Sequence, residues 1–92
     1  MKPIQVWKIE FCDYIDVEAA AYDYMMELGF QYDTEEGSFE WEEAETSYYE
    51  FFKKELQQTK YVEGKTRAGA IGNLKNILYN VHLEIINAVP VM

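Results

Sequence analysis

Trp7, Ile9 and Phe11 alternate with Lys8 and Glu10, the period of two that places one set of side chains on a buried sheet face. Ile4 and Val6 hold the other parity, which predicts cover on the second face near the start of that strand. Asp16 then precedes an amphipathic stretch, with Glu18 in its first turn and Gly29 as a stop. These signals predict a helix over about residues 17–28. Its apolar stripe is Val17, Ala21, Tyr24 and Leu28, while Asp23 and Glu27, four apart, share another face.

Two readings compete over the next segment. Residues 30–33, 34–37 and 38–42 read as a hairpin, with aromatics alternating on both arms and Gly37 in the loop. A single helix over residues 38–58 also fits, because no glycine or proline interrupts it. The alternation of Phe39 and Trp41 favours the strand. Residues 45–59 turn helical, with Tyr48, Phe51, Phe52 and Leu56 on one side and Lys53 and Lys54 toward the end, where cations suit the helix dipole. Residues 61–65 read as a connector containing Gly64.

Thr66 can cap a last helix running to about residue 89, stopped by Pro90. Along it Ile71, Leu74, Leu78, Val81 and Ile85 are spaced three and four apart in alternation, and Ile77 and Ile86 widen the seam. The predicted order is β-α-β-β-α-α. It describes one α+β domain over residues 1–92, with a small antiparallel sheet packed by helices and a long C-terminal helix. The seam is wider than so short a chain needs for its core, so a homodimer through that helix is expected. Gly69 and Gly72, with Ala68 and Ala70, form a small-residue surface suited to close packing.

At 49% apolar and 16% aromatic the chain is too hydrophobic for a disordered acidic tail. Cys12 is the single cysteine, so no internal disulfide framework exists, and a small buried packing residue is expected there. The first five residues carry no apolar run of signal-peptide length. No stretch approaches the roughly 18 apolar residues that span a bilayer. These features predict a cytoplasmic protein.

Catalytic constellations are missing. Gly64-Lys65-Thr66 imitates the end of a phosphate-binding loop, but the earlier glycine of that motif falls on Thr59. The run from Asp33 to Gly37 opens like a calcium loop, yet the glycine position is Ser38 and the twelfth position Ala44. His82, the only histidine, has no co-ligand in its neighbourhood and reads as a surface or boundary residue. No enzyme activity, metal or cofactor is expected.

Charge then changes the picture. Positions 10 to 50 hold fourteen carboxylates and no lysine or arginine, while the remainder holds three acids and all eight basic residues. The formal charge of −9 is thus strongly segregated. Such a field repels nucleic acid and anionic membranes and attracts proteins with basic grooves. Solvated surfaces ordinarily intersperse both signs, and the plain alternative is a solubilising face. Fourteen carboxylates match the charge on about 24 Å of duplex, at one charge per ~1.7 Å. Glu40 and Glu42 on a strand would project ~6.7 Å apart, and Asp23 and Glu27 on a helix ~6 Å apart along the axis. Both intervals lie near two steps of a DNA strand at ~3.4 Å each.

In size, charge segregation, aromatic content and the cluster of acids from Glu35 to Glu45, the acidic half resembles the small inhibitors made by phages and mobile elements, the DNA-mimicking anti-restriction and anti-CRISPR proteins. That resemblance implies a non-catalytic protein occupying the cationic nucleic-acid-binding groove of a nuclease or effector complex. The contact is then expected at Glu35, Glu36, Glu40, Glu42, Glu43 and Glu45, with Trp41 as an aromatic anchor if exposed and a core residue if not. An antitoxin, immunity protein or regulatory subunit that recognises one basic partner by shape would use the same charge for steering. Neither reading calls for direct nucleic-acid or membrane binding.

Overall fold

The computed structural model describes residues 3–29 and 39–91. Six elements follow in order: β1 (Gln5–Asp13), α1 (Tyr14–Glu27), α2 (Phe39–Glu55), β2 (Gln58–Gly64), α3 (Arg67–Leu78) and β3 (Leu83–Val91). The α+β class and the small antiparallel sheet agree with the sequence pattern, while the order is β-α-α-β-α-β. Two compact units emerge. Met1–Asp13 with Gln57–Met92 forms a sheet unit, and Tyr14–Leu56 a helical unit.

In the sheet unit the strand order is β2-β1-β3, antiparallel throughout. Ile9 and Phe11 are fully buried and cluster with Val62, Leu83 and Ala88 of the flanking strands and with Ala70 and Leu74 of α3. Trp7 packs against this cluster, and its indole N–H donates to the Gly64 carbonyl at 3.0 Å. Leu83 and Ala88 lie on opposite parities of β3, yet both are buried. A bulge reconciles them: Glu10 pairs with Asn87 and Phe11 with Ile85, so Ile86 is an extra residue that flips the phase. On the opposite face Val6, Tyr61, Val89 and Val91 are exposed, so the expected cover over Val6 and Ile4 is not found among the described residues.

Both outer strands have blunted edges. Asn73 of α3 donates from Nδ2 to the Glu63 carbonyl at 2.9 Å, so that carbonyl points away from β1. The antiparallel alternation then turns Trp7 toward β2 and leaves Pro90, its partner on β3, facing outward. A missing N–H there costs no ladder bond. Asn80 ties the sheet end together, donating to the Asp13 carboxylate at 2.7 Å and accepting the His82 backbone N–H at 2.7 Å. Cys12 is buried with Sγ 3.7 Å from Glu84 Oε2, in line with a packing thiol.

Three sequence expectations are corrected. The hairpin arm over residues 38–42 is helix from Phe39 onward; residues 30–33 and the 34–37 loop lie outside the described residues. Trp41, Tyr48 and Phe52 fall on one helical stripe, a spacing that the short alternation of Phe39 and Trp41 masked. Residues 61–65 largely belong to strand β2 instead of a connector. The long C-terminal helix ends at Leu78, so the seam through Val81 and Ile85 is not helical and the expected helix-mediated homodimer loses its premise.

Thr66 does cap α3, accepting the Gly69 N–H at 3.0 Å. The helix stops on Tyr79 in the left-handed region (φ 51°, ψ 38°), with Tyr79 N–H on the Asn76 carbonyl and Asn80 N–H on the Lys75 carbonyl. This is a Schellman closure with tyrosine where glycine is usual. Close packing belongs to Gly64 and not to Gly72: a Cβ on Gly64 would meet the Ala70 backbone at 2.7 Å, whereas one on Gly72 meets nothing within 4 Å.

Gly64→Ala should therefore cost about 1–3 kcal/mol from overpacking against backbone, while Gly72→Ala gains roughly 0.5–1 kcal/mol of helix propensity. Urea unfolding followed by far-UV circular dichroism reads both signs. By the same measurement Tyr79→Gly raises stability by about 0.5–1 kcal/mol, because it relieves the left-handed strain.

Candidate acidic binding surface

The helical unit carries thirteen carboxylates and two lysines, a formal charge of −11; the sheet unit, with four acids and six basic residues, is +2. The acid-only stretch seen in the sequence thus coincides almost entirely with one folding unit. Within it α1 begins at Tyr14, so Asp16 lies in its first turn and not at the expected cap. The helix buries Val17, Ala21 and Met25, four apart, while Tyr24 and Leu28 of the expected stripe are exposed, as are Asp16, Glu18, Asp23 and Glu27. The α1–α2 contact is aromatic. Tyr22 meets Trp41 edge-on at 5.9 Å between ring centroids, and Tyr24 meets Tyr48 at 5.0 Å and Phe52 at 5.8 Å. Such geometries match the ring quadrupole and add roughly 0.5–1.5 kcal/mol each beyond area burial.

On α2, Glu42, Glu43, Glu45 and Glu50 are exposed. Glu43 and Glu50 are two turns apart on the side away from Trp41, about 10.5 Å along the axis. On α1, Asp16, Asp23 and Glu27 share one stripe at about 10.5 and 6 Å. Lys53 and Lys54 occupy the last turn of α2, at the cation-favouring end of its dipole.

Of the expected contact residues, Glu35 and Glu36 lie outside the described residues. Glu40 lies on α2. The strand spacing between Glu40 and Glu42 does not hold, since residues two apart on a helix diverge. Trp41 is buried at 4% exposure and is no surface anchor. Its indole N–H instead donates to Glu45 Oε2 at 3.0 Å, one turn along. The buried ring thereby fixes the direction of a surface carboxylate.

Beside this pair lies a groove of about 660 Å³ between α1 and α2, lined by Ile15, Glu18, Tyr22, Asp23, Glu45 and Tyr49 among others. Glu18, Tyr22, Asp23 and Tyr49 were not among the contact residues expected from sequence. Their signal was spacing: Glu18 and Tyr22 on α1, and Glu45 and Tyr49 on α2, each pair a carboxylate and a ring four apart. Among the described residues no cluster of histidine, cysteine or carboxylate side chains could hold a metal ion, and no helix is long and apolar enough to cross a membrane.

Comparison of the chain with protein-family models, curated proteins and solved structures found no match.

Trp41→Ala should destabilise the protein by about 3–5 kcal/mol, the range for a buried large aromatic. Glu43→Gln, on an exposed face, should stay within about 0.5 kcal/mol. Chemical denaturation of the two variants side by side checks the contrast.

Proposed function

We propose that this chain is a non-catalytic inhibitor whose acidic helical unit occupies the basic nucleic-acid-binding groove of a nuclease or effector complex. One observation carries the reading: the formal charge of −11 belongs to a single folded unit whose described carboxylates are exposed, and the sheet unit has the opposite sign. A solubilising charge has no need to be concentrated in this way. Concentration on one body gives a directional field, which accelerates and orients encounter with a cationic groove. The axial intervals on α1, about 10.5 and 6 Å, approximate three and two strand steps of ~3.4 Å. Contact is assigned to Glu40, Glu42, Glu43 and Glu45 on α2, and to Glu35 and Glu36 before it.

A second reading is favoured by one feature. Phe51, Met26 and Leu28 of the same unit are exposed at 54%, 46% and 50%. Apolar anchors of that kind suit an antitoxin, immunity protein or regulatory subunit that fits one basic partner by shape.

Salt and competition separate the two. Partners are captured from host cells on the wild-type chain and on a Glu40→Lys/Glu42→Lys/Glu43→Lys variant, then eluted with salt or with duplex DNA or RNA. The inhibitor reading expects a nucleic-acid-binding enzyme retained only by the wild type. It also expects release by nucleic acid and affinity falling at least about tenfold between 0.1 and 0.5 M salt, where screening shortens to a few ångströms. A partner held at 0.5 M salt and indifferent to nucleic acid overturns it in favour of shape recognition.

A further inference from the structure

We infer that the α1–α2 groove receives an arginine side chain from a basic segment of the partner. This rests on the proposed function and adds the point on the acidic unit where contact becomes selective. The groove volume of about 660 Å³ lies within the roughly 300–1,000 Å³ typical of sites that enclose a ligand. Glu18, Asp23 and Glu45 border it and, among the described residues, no lysine or arginine does, so charge complementarity favours a cationic occupant. The carboxylates do not converge as metal ligands, which disfavours a bare divalent ion.

The rings decide between the two basic side chains. Tyr22 and Tyr49 line the same groove. A lysine ammonium is compact and strongly hydrated, so it gains from the carboxylates but little from the rings. A guanidinium is planar and weakly hydrated, stacks on a tyrosine face, and presents a fork of N–H donors that matches a carboxylate. Glu45 is oriented in advance, because the Trp41 indole donates to its Oε2 at 3.0 Å. Less ordering is then left to the moment of binding.

The test uses the full chain and two probes of equal charge, hexa-arginine and hexa-lysine peptides, titrated by calorimetry at about 0.15 M salt. Hexa-arginine should bind about tenfold tighter, the scale of two ring contacts to one cation. Tyr49→Leu and Tyr22→Leu, each checked for an unchanged far-UV spectrum, should erase that preference while leaving hexa-lysine affinity near the wild-type value. Glu43→Gln, away from the groove, should weaken both peptides equally. Amide chemical-shift changes on adding hexa-arginine should centre on Glu18, Tyr22, Glu45 and Tyr49.

Equal affinities for the two peptides, or shift changes spread evenly along α1 and α2, overturn the inference even if a destabilised variant is discarded. The outcome is separable from that of the proposed function. An arginine preference in a chain that nucleic acid does not displace from its partner rejects the mimic and keeps the groove; displacement without preference rejects the groove alone.

Discussion

The sheet depends on β1, which among the described strands is the one hydrogen-bonded on both sides. Both of its neighbours follow the helical unit in the sequence, β2 directly after it and β3 near the end of the described residues. β2 pairs along Gln5 to Phe11, and β3 along Val6 to Asp13. A strand in that position must be apolar on the face it buries, and Ile9 and Phe11, at 0% and 1% exposure, meet that demand. Between β1 and β2 the chain leaves the sheet unit at Asp13 and returns at Gln57, with Phe11 opposite Gln58. The helical unit is thus an insertion at the open end of an antiparallel pair. Insertions between neighbouring points are the kind that folds tolerate best, because the host core closes without them.

This division separates two physical problems. The sheet unit carries a small positive charge and an aliphatic core. The helical unit has to hold together at −11, where like charges on neighbouring turns each cost about 0.2–0.5 kcal/mol. Its described contacts are therefore those that charge cannot weaken: rings packed edge to face, and a buried stripe of Val17, Ala21 and Met25. The aromatic residues interleaved with acids are what let an acidic sequence fold rather than stay extended. Trp41 joins the two features, with its ring against Tyr22 and its N–H on Glu45.

The class of the fold, the first strand, the body of the first helix and the Thr66 cap were legible because each rests on a local signal. The start of α1 at Tyr14, and Met25 in its buried stripe in place of Tyr24 and Leu28, were not. The rest was hidden for identifiable reasons. The end of α3 carries no glycine stop; tyrosine takes the left-handed position, and the aliphatic spacing continues past it into β3 by coincidence. Strand β3 itself has no clean alternation, because the extra residue at Ile86 reverses the parity halfway along. Pro90, read as a helix terminator, is an edge-strand proline whose missing N–H faces outward. In the acidic segment, Phe39 and Trp41 are too few to distinguish period two from a helical stripe until Tyr48 and Phe52 are counted with them. The charge segregation was visible throughout. Its confinement to one folding unit, and the groove within that unit, required the tertiary arrangement, since Glu18 and Tyr22 are more than twenty positions from Glu45 and Tyr49.

Field and groove act over different ranges, and this makes them complementary rather than redundant. At physiological salt a net charge is felt over roughly 8 Å beyond the surface, enough to draw in and orient a basic partner but blind to its sequence. Every cationic groove in a cell answers to such a field, so charge alone yields an indiscriminate binder. Selectivity has to come from contacts that act only after water is expelled, where stacking and forked hydrogen bonds count. Under the proposed reading the α1–α2 groove is such a place, bordered by Glu18, Asp23 and Glu45. A partner brought in by the acids is then kept, under the proposed arginine recognition, only if it offers a planar cation at that groove.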